Sequence, residues 1–140
     1  MSAEELKALA HEFIDAFNQH NVEAIRRLIS DEYVQHSPGV PPSRDAFFTF
    51  LEASYQAFPD GRFEINDMIA EGDKVLLRWT FYGTHTGRWL NRQDPPTGRT
   101  ISFSGMDLYR YNDRPQLAEA WFVADMLGLM RQLGRIPSGL

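Results

Sequence analysis

The sequence predicts one α+β domain in which helices come first and an uninterrupted run of strands follows. Apolar residues recur at three- and four-residue spacing over 2–20 and again over 43–58, as on the buried side of a helix. From residue 62 onward the apolar period is two, which is the period of a strand. Strands that follow one another without intervening helices pair antiparallel. We therefore expect a curved antiparallel sheet covered on one face by three N-terminal helices.

Each of the three predicted helices begins at a residue that can cap its first turn. Ser2 forms a capping box with Glu5, Asn21 precedes a short second helix, and Ser43 precedes the third. An extended segment, 31–36, and a loop rich in proline and glycine lie between the second and third helices. The apolar faces that should pack on the sheet contain Leu6, Leu9, Phe13, Ile14 and Phe17 in the first helix, and Phe47, Phe48, Leu51, Tyr55 and Phe58 in the third.

Four strands are predicted over 62–70, 74–85, 99–111 and 116–125, with a short helix over 126–133. Because side chains alternate along a strand, the second and third strands each present one mostly apolar face to the helices. A strongly curved sheet beneath three helices leaves a cone with a cavity at its open end. The face that should look into it contains Trp79, Phe81 and His85 in one strand, and Phe103, Asp107 and Tyr109 in the next.

Length and composition exclude several classes of protein. A chain of 140 residues and 16.1 kDa is one ordinary domain, 1–140. The net charge of −5 argues against nucleic acid as a partner, and the absence of cysteine excludes disulfides and thiolate sites. The polar start, and the lack of a long apolar run, predict a cytoplasmic protein that does not enter a membrane. His11-Glu12 lacks the second histidine of a zinc-binding helix, so no metal site is predicted.

Four short motifs occur in one order along nearly the whole chain. They are Tyr33-Val34-Gln35-His36, Gly83-Thr84-His85-Thr86-Gly87, Pro95-Pro96-Thr97-Gly98-Arg99 and Gly128-Leu129-Met130-Arg131-Gln132-Leu133-Gly134. Together they resemble the SnoaL-like polyketide cyclases of the nuclear transport factor 2-like superfamily. The resemblance implies a cone-shaped α+β barrel with a deep pocket for a small apolar or aromatic molecule, in a homodimer or homotetramer. It also implies ring closure by an intramolecular aldol reaction with neither metal nor organic cofactor.

The last strand departs from the pattern of that family. The family typically has Glu-His-Trp-Asp there, and the aspartate is the acid/base of the cyclases. This chain has Glu119-Ala120-Trp121-Phe122 instead, so both the histidine and the aspartate are absent. Ala120 and Phe122 share the strand face that the family turns into its pocket. The resemblance therefore implies the pocket but not its principal acid.

Three other residues are candidates for the acid/base chemistry: Asp107, His85 and His36. Aldol ring closure needs a base and a donor that stabilises the developing oxyanion. Asp107 corresponds to a pocket position of the family, and desolvation there would raise its pKa. Its alternatives are an outward-facing carboxylate or one that binds a backbone amide.

The two histidines also have alternative roles. His85 either titrates near neutral pH as a base or donor, or binds a carbonyl group in the turn. His36 precedes a loop that should form the rim of the pocket, and it either lines the pocket or braces this loop. Asp125 is better explained as the N-cap of the last helix than as an acid.

The pocket should bind its ligand through apolar contacts. The residues expected to line it are Phe122, Ala120, Trp79, Phe47 and Phe103. Arg88, Arg92 and Arg99 surround one loop and could meet an acidic substrate, although ordinary surface arginines explain them better. We predict cyclase-type chemistry on an aromatic or polyketide-like molecule. The alternatives are a cofactor-independent hydroxylase of the same family and a binding module without catalysis.

Overall fold

The computed structural model describes residues 1–89 and 95–136, and the predicted α+β class is confirmed. Four helices and five strands lie in these ranges. The bounds predicted from the sequence agree with the observed ones to within two residues. In chain order the elements are α1 (Ala3–Asn18), α2 (Val22–Leu28), β1 (Ile29–His36), α3 (Arg44–Ala57), β2 (Arg62–Glu71), β3 (Lys74–Thr84), β4 (Thr100–Tyr111), β5 (Leu117–Ala124) and α4 (Met126–Gln132).

All four helices begin at the capping residues that the sequence predicts. In each case the side-chain oxygen accepts a hydrogen bond from the backbone N–H three residues further along. The four caps are Ser2, Asn21, Ser43 and Asp125, with N···O distances of 2.9 to 3.1 Å. A cap of this kind typically stabilises a helix by about 1 kcal/mol. Asp125 thus has the capping role that its position before the last helix indicated.

The five strands form one curved, open sheet in the order β1-β5-β4-β3-β2. Strands β2 to β5 pair antiparallel as predicted, but β1 joins the edge parallel to β5, so the sheet is mixed. Val34 lies opposite Glu119, and His36 lies opposite Trp121. A short turn forces the strands it joins to run antiparallel, whereas β1 reaches β5 from the other end of the chain without that constraint.

The helices cover one face of this sheet, which we call the inner face. Among the side chains buried between them are Leu6 of α1, Leu51 of α3 and Leu77 of β3, and burying such a side chain stabilises a fold by about 1.5–3 kcal/mol. Two hydrogen bonds hold the C-terminal end of α1 against β2. The side chain of Asn18 makes both an N–H and a C=O hydrogen bond to the backbone of Phe63, at 2.8 and 2.9 Å. Within the described ranges no helix combines the length and the apolar character needed to cross a bilayer.

Candidate active site

A cavity of about 410 Å³ separates the helices from the inner face of the sheet. This volume lies within the range of small-molecule sites. More than half of the described residues that line it are aromatic, and Asp107 is the one carboxylate among them. The aromatic lining is Phe13, Phe17, Tyr33, Phe47, Phe50, Phe58, Phe63, Trp79, Phe81, Trp89, Phe103, Tyr109 and Phe122.

The carboxylate of Asp107 is held by two neutral donors, one on each oxygen. The indole Nε1 of Trp79 donates to Oδ1 at 2.9 Å, and the hydroxyl of Tyr109 donates to Oδ2 at 2.9 Å. Asp107 retains some accessible surface, which opens into the cavity because the residue lines it. Each carboxylate oxygen can accept a second hydrogen bond. The carboxylate is therefore fixed in orientation while keeping lone pairs for a ligand.

Burial raises the pKa of Asp107 to about 6. The hydrogen bonds from Trp79 and Tyr109 act in the opposite direction, because they stabilise the charged form. At neutral pH the group is thus mostly ionised, yet it is a stronger base than an exposed aspartate. A general base works best when its pKa lies near the operating pH.

The register of the strands explains how Trp79 reaches Asp107. Trp79 on β3 lies directly opposite Gly105 on β4, two residues before Asp107. A Cβ atom at Gly105 would collide with the indole ring of Trp79 and with the carbonyl oxygen of Val123. The missing side chain lets the indole lie across β4 with its N–H directed at the carboxylate.

The cavity brings together six of the eight residues predicted for the site, and it leaves both histidines out. Trp79 has a second role as a donor to the carboxylate. Phe122 is the direct cross-strand neighbour of Asp107, and Ala120 is the neighbour of Tyr109. The six that line the cavity are Asp107, Phe122, Ala120, Trp79, Phe47 and Phe103.

His85 lies outside the cavity lining and is fully buried, with 0% of its surface exposed. Its Nδ1 accepts a hydrogen bond from the backbone N–H of Thr97 at 3.1 Å and lies 3.0 Å from the hydroxyl of the same residue. Burial, together with the charge of Arg135, lowers the pKa of His85. These contacts match the structural alternative, because the histidine holds the backbone of the loop at Thr97, and a backbone hydrogen bond at Gly87 acts to raise its pKa against the effect of burial.

His36 lies on the other face of the sheet, which we call the outer face. Its ring stacks on Trp121 at 5.0 Å, and its Nε2 lies 2.7 Å from Oε2 of Glu119. Alternation along β1 turns Tyr33 and Gln35 inward and His36 outward. The loop after His36 does line the cavity, through Ser37, Pro38 and Val40, so the loop meets the expectation for the rim while the histidine does not.

Of the three arginines that surround the loop in the sequence, Arg88 and Arg99 do not line the cavity. Nη1 of Arg99 donates to the backbone carbonyl of Gln132 at 2.8 Å and so holds the end of α4. Arg88 is exposed, and Arg92 lies outside the described residues. In the part of the chain that the structure describes, no three His, Asp or Glu side chains converge as a metal site would need.

Comparison with known proteins shows the family of this chain. The sequence model of the SnoaL-like polyketide cyclases matches residues 7–133. The chain belongs to the SnoaL-like polyketide cyclase family. A search of curated proteins found no match.

Several solved structures share the fold of this SnoaL-like protein. AclR of Streptomyces galilaeus, a candidate hydroxylase, is 31% identical, with a TM-score of 0.88 over 98% of this chain and 89% of AclR. TsrD of Streptomyces laurentii is 26% identical, with a TM-score of 0.84 over 97% of this chain and 99% of TsrD. IdmH of Streptomyces antibioticus, a candidate polyketide cyclase, is 26% identical, with a TM-score of 0.78 over 92% of this chain and 98% of IdmH.

The roles of three residues of this SnoaL-like site were missed by sequence reasoning. Tyr109 is predicted to share a face with Asp107, because the two residues are two positions apart on β4, but its hydrogen bond to the carboxylate is not predicted. Tyr33 was named only as part of a motif, although it has the opposite parity to His36. Gly105 carried no local signal, because its role depends on the ring that lies opposite it on the neighbouring strand.

Proposed function

We propose that this SnoaL-like protein catalyses ring closure in a small aromatic or polyketide-like molecule by an intramolecular aldol reaction that depends on acid/base catalysis. The observation that carries the proposal is the Asp107 carboxylate, which two neutral donors hold inside an aromatic cavity. Proton removal from carbon requires a base that is both oriented and partly desolvated. Asp107 meets both conditions. It could therefore serve as the base although this chain has Phe122 at the position where the family has its aspartate.

The proposed reaction begins when Asp107 removes a proton from a carbon flanked by carbonyl groups. The resulting enolate carbon attacks a second carbonyl of the same molecule, and a new C–C bond forms. The alkoxide oxygen formed in this step then takes the proton from the Asp107 carboxylic acid. The atoms of product and substrate are the same, so no co-reactant is needed, and the base is regenerated in the ionised form.

The lining also indicates what kind of molecule fits. Flat aromatic rings stack well on aromatic walls such as those of Phe103 and Phe122. No Lys, Arg or His is among the described lining residues, so a negatively charged group would enter an apolar cavity that already holds a carboxylate. We therefore propose an uncharged, flat substrate with its acidic C–H group at Asp107.

The proposal is tested with bicyclic and tricyclic aromatic ketones that each carry a 1,3-dicarbonyl side chain. Wild-type protein should accelerate ring closure of at least one of them, measured by chromatography of the cyclic product. Asp107→Asn should lower kcat by about 10²-fold or more while the ligand still binds. Turnover of Asp107→Asn at the wild-type rate would overturn the assignment of the base, and binding without turnover in the wild type would favour a binding module.

Hydroxylation is the second candidate function, because AclR, a candidate hydroxylase, is 31% identical over 98% of this chain. The same carboxylate could take a proton from an activated carbon, and molecular oxygen would add to the carbanion to form a hydroperoxide. Loss of water from the hydroperoxide would leave a new carbonyl oxygen, so the substrate itself would supply the electrons. Oxygen uptake with the aromatic ketones separates the two functions. Ring closure proceeds in the absence of oxygen, whereas hydroxylation stops.

We further propose that two or four copies associate through the outer face of the sheet. One row of cross-strand neighbours there crosses all five strands through Ile69, Leu76, Leu108, Trp121 and His36. Beside it, Met106 and Val123 pair with 50% and 65% of their surfaces exposed. Exposed apolar patches of this kind mark interaction sites. Sedimentation of Met106→Asp, which does not line the cavity, should show monomers, and wild-type protein that sediments as a monomer would contradict the proposal.

A further inference from the structure

Ring closure needs a hydrogen-bond donor as well as a base, and a second polar group faces the same cavity as Asp107. Tyr33 lies on the inner face of β1, is 4% exposed, and lines the cavity. Its ring packs edge-to-face on Phe47, with 5.4 Å between centroids. The position of the ring is therefore set by packing rather than by a hydrogen bond of its hydroxyl group.

Three buried tyrosines lie on the inner face, and their hydroxyl groups differ. The Tyr109 hydroxyl is occupied by Asp107. The Tyr111 hydroxyl is closed off and has no partner within residues 1–89 and 95–136. The Tyr33 hydroxyl makes no hydrogen bond to the described part of the chain either, but it keeps accessible surface, unlike that of Tyr111. Since Tyr33 lines the cavity, that surface opens toward a ligand.

The electrostatic surroundings keep the Tyr33 hydroxyl protonated. Burial and the negative charge of Asp107 both raise its pKa above the ordinary value. A neutral O–H group in a cavity with little water is a strong donor to an oxygen that gains charge during a reaction. Tyr33 and Asp107 therefore offer complementary groups, one that donates and one that accepts a proton.

Resting on the function proposed above, we propose that Tyr33 is a catalytic residue that donates a hydrogen bond to the substrate carbonyl oxygen. When Asp107 takes the proton from the adjacent carbon, the C–H electron pair forms the C=C bond of the enolate. The electrons of the carbonyl double bond then move to the oxygen, which receives the hydrogen bond from Tyr33. The Tyr33 proton stays on the tyrosine throughout, so the proton balance of the aldol reaction is unchanged.

A spectroscopic experiment tests the donor separately from the base. The probe is 9,10-anthraquinone, a flat, uncharged molecule whose carbonyl stretch moves to lower frequency when the oxygen accepts a hydrogen bond. The shifted band should appear in wild type and in Asp107→Asn, and it should be lost in Tyr33→Phe. Tyr111→Phe is the matched control, because it also loses a buried hydroxyl but away from the cavity, and it should keep the shifted band.

The outcomes separate the two proposals. A band in Tyr33→Phe equal to that of the wild type overturns the donor role, whatever Asp107 does. Anthraquinone that fails to quench the tryptophan fluorescence of the wild type overturns the ligand class, and the donor role with it. An inactive Asp107→Asn variant that keeps the shifted band supports Tyr33.

The kinetic test uses the aromatic ketones described above. Tyr33→Phe should lower kcat by about 10²-fold with little change in KM, the scale expected for one oxyanion donor. Tyr111→Phe should retain wild-type kcat, and the thermal midpoints of both variants show whether they fold. An unchanged kcat in folded Tyr33→Phe overturns the catalytic role.

Discussion

Two carboxylates on neighbouring strands have the same number of side-chain partners but opposite acid–base behaviour. Asp107, on the inner face of β4, accepts hydrogen bonds from Trp79 and Tyr109, and burial raises its pKa to about 6. Glu119, on the outer face of β5, is held by His36 at 2.7 Å and by Arg110 at 3.0 Å, and these contacts lower its pKa.

The difference teaches that the charge of the hydrogen-bond partners and the access of solvent decide whether the pKa of a carboxylate is raised or lowered. Arg110 brings a positive charge to Glu119, in a setting where water also solvates the carboxylate. The donors at Asp107 are neutral, and aromatic rings replace water around it. Glu119 is thus a structural anion on the outer face, while Asp107 is poised to accept a proton.

The largest expected effect is the loss of the inner carboxylate. Asp107→Asn should lower kcat for ring closure by about 10²- to 10⁴-fold, because it removes the base at nearly constant volume. The matched change on the outer face, Glu119→Gln, should leave kcat within the error of the wild type. Steady-state kinetics on the folded variants measures both. A large loss of kcat in Glu119→Gln would show that the two faces do not divide the chemistry in this way.

The neighbouring strand β5, beside Asp107, is the second place to test the comparison. Ala120→His with Phe122→Asp would give β5 the residues that the family typically has. The double change should lower the free energy of unfolding by about 3–5 kcal/mol, since the burial of a ring is lost and a second carboxylate enters the cavity. Urea denaturation measures this loss, and binding of anthraquinone should weaken. Wild-type activity in the double variant would mean that these two positions take no part in function.

The contributions of Asp107 and Glu119 to stability should change in opposite directions as the pH rises. Because the folded-state pKa of Asp107 is raised, the native state holds its proton between about pH 4 and pH 6 while the unfolded chain has lost it. Stability should therefore fall by up to roughly 3 kcal/mol as the pH rises through this window, and stay reduced above it. Glu119 has the opposite sign: its contribution is present above its unfolded pKa and is lost as the pH falls.

Urea denaturation at a series of pH values isolates the Asp107 contribution as the difference between wild type and Asp107→Asn. The same ionisation should appear in catalysis as a rise of kcat/KM through about pH 6. A pH profile of stability that Asp107→Asn leaves unchanged would contradict the raised pKa.

The smallest expected effect comes from removing one hydrogen-bond partner from each of the two carboxylates. Trp79→Phe removes the N–H donor to Oδ1 of Asp107, so the charged form loses support and the pH profile of kcat/KM should shift by about one unit toward alkaline pH. His36→Gln removes a partner of Glu119 and should leave that profile in place. The pH–rate profiles of both variants test this expectation. An equal shift in both would contradict the assignment of the shift to the hydrogen bond between Trp79 and Asp107.

Much of the fold, and part of the site, follow from local patterns in the chain. Capping residues and the apolar period predict where each helix begins and which side it buries. Alternation predicts that Asp107 and Tyr109 share a face, as do Ala120 and Phe122. These features depend on residues within a few positions of one another, so the sequence alone contains them.

The remaining features depend on contacts between distant parts of the chain. The parallel pairing of β1 with β5 joins segments more than 80 residues apart. The contact of Trp79 with Asp107 requires the register that puts Gly105 opposite the indole. His85 lies outside the cavity lining, where it binds Thr97. The raised pKa of Asp107 comes from its burial among rings on several elements. The sequence determined which side chains share a face, whereas strand register and packing decided which of them meet, because those contacts exist only in the folded chain.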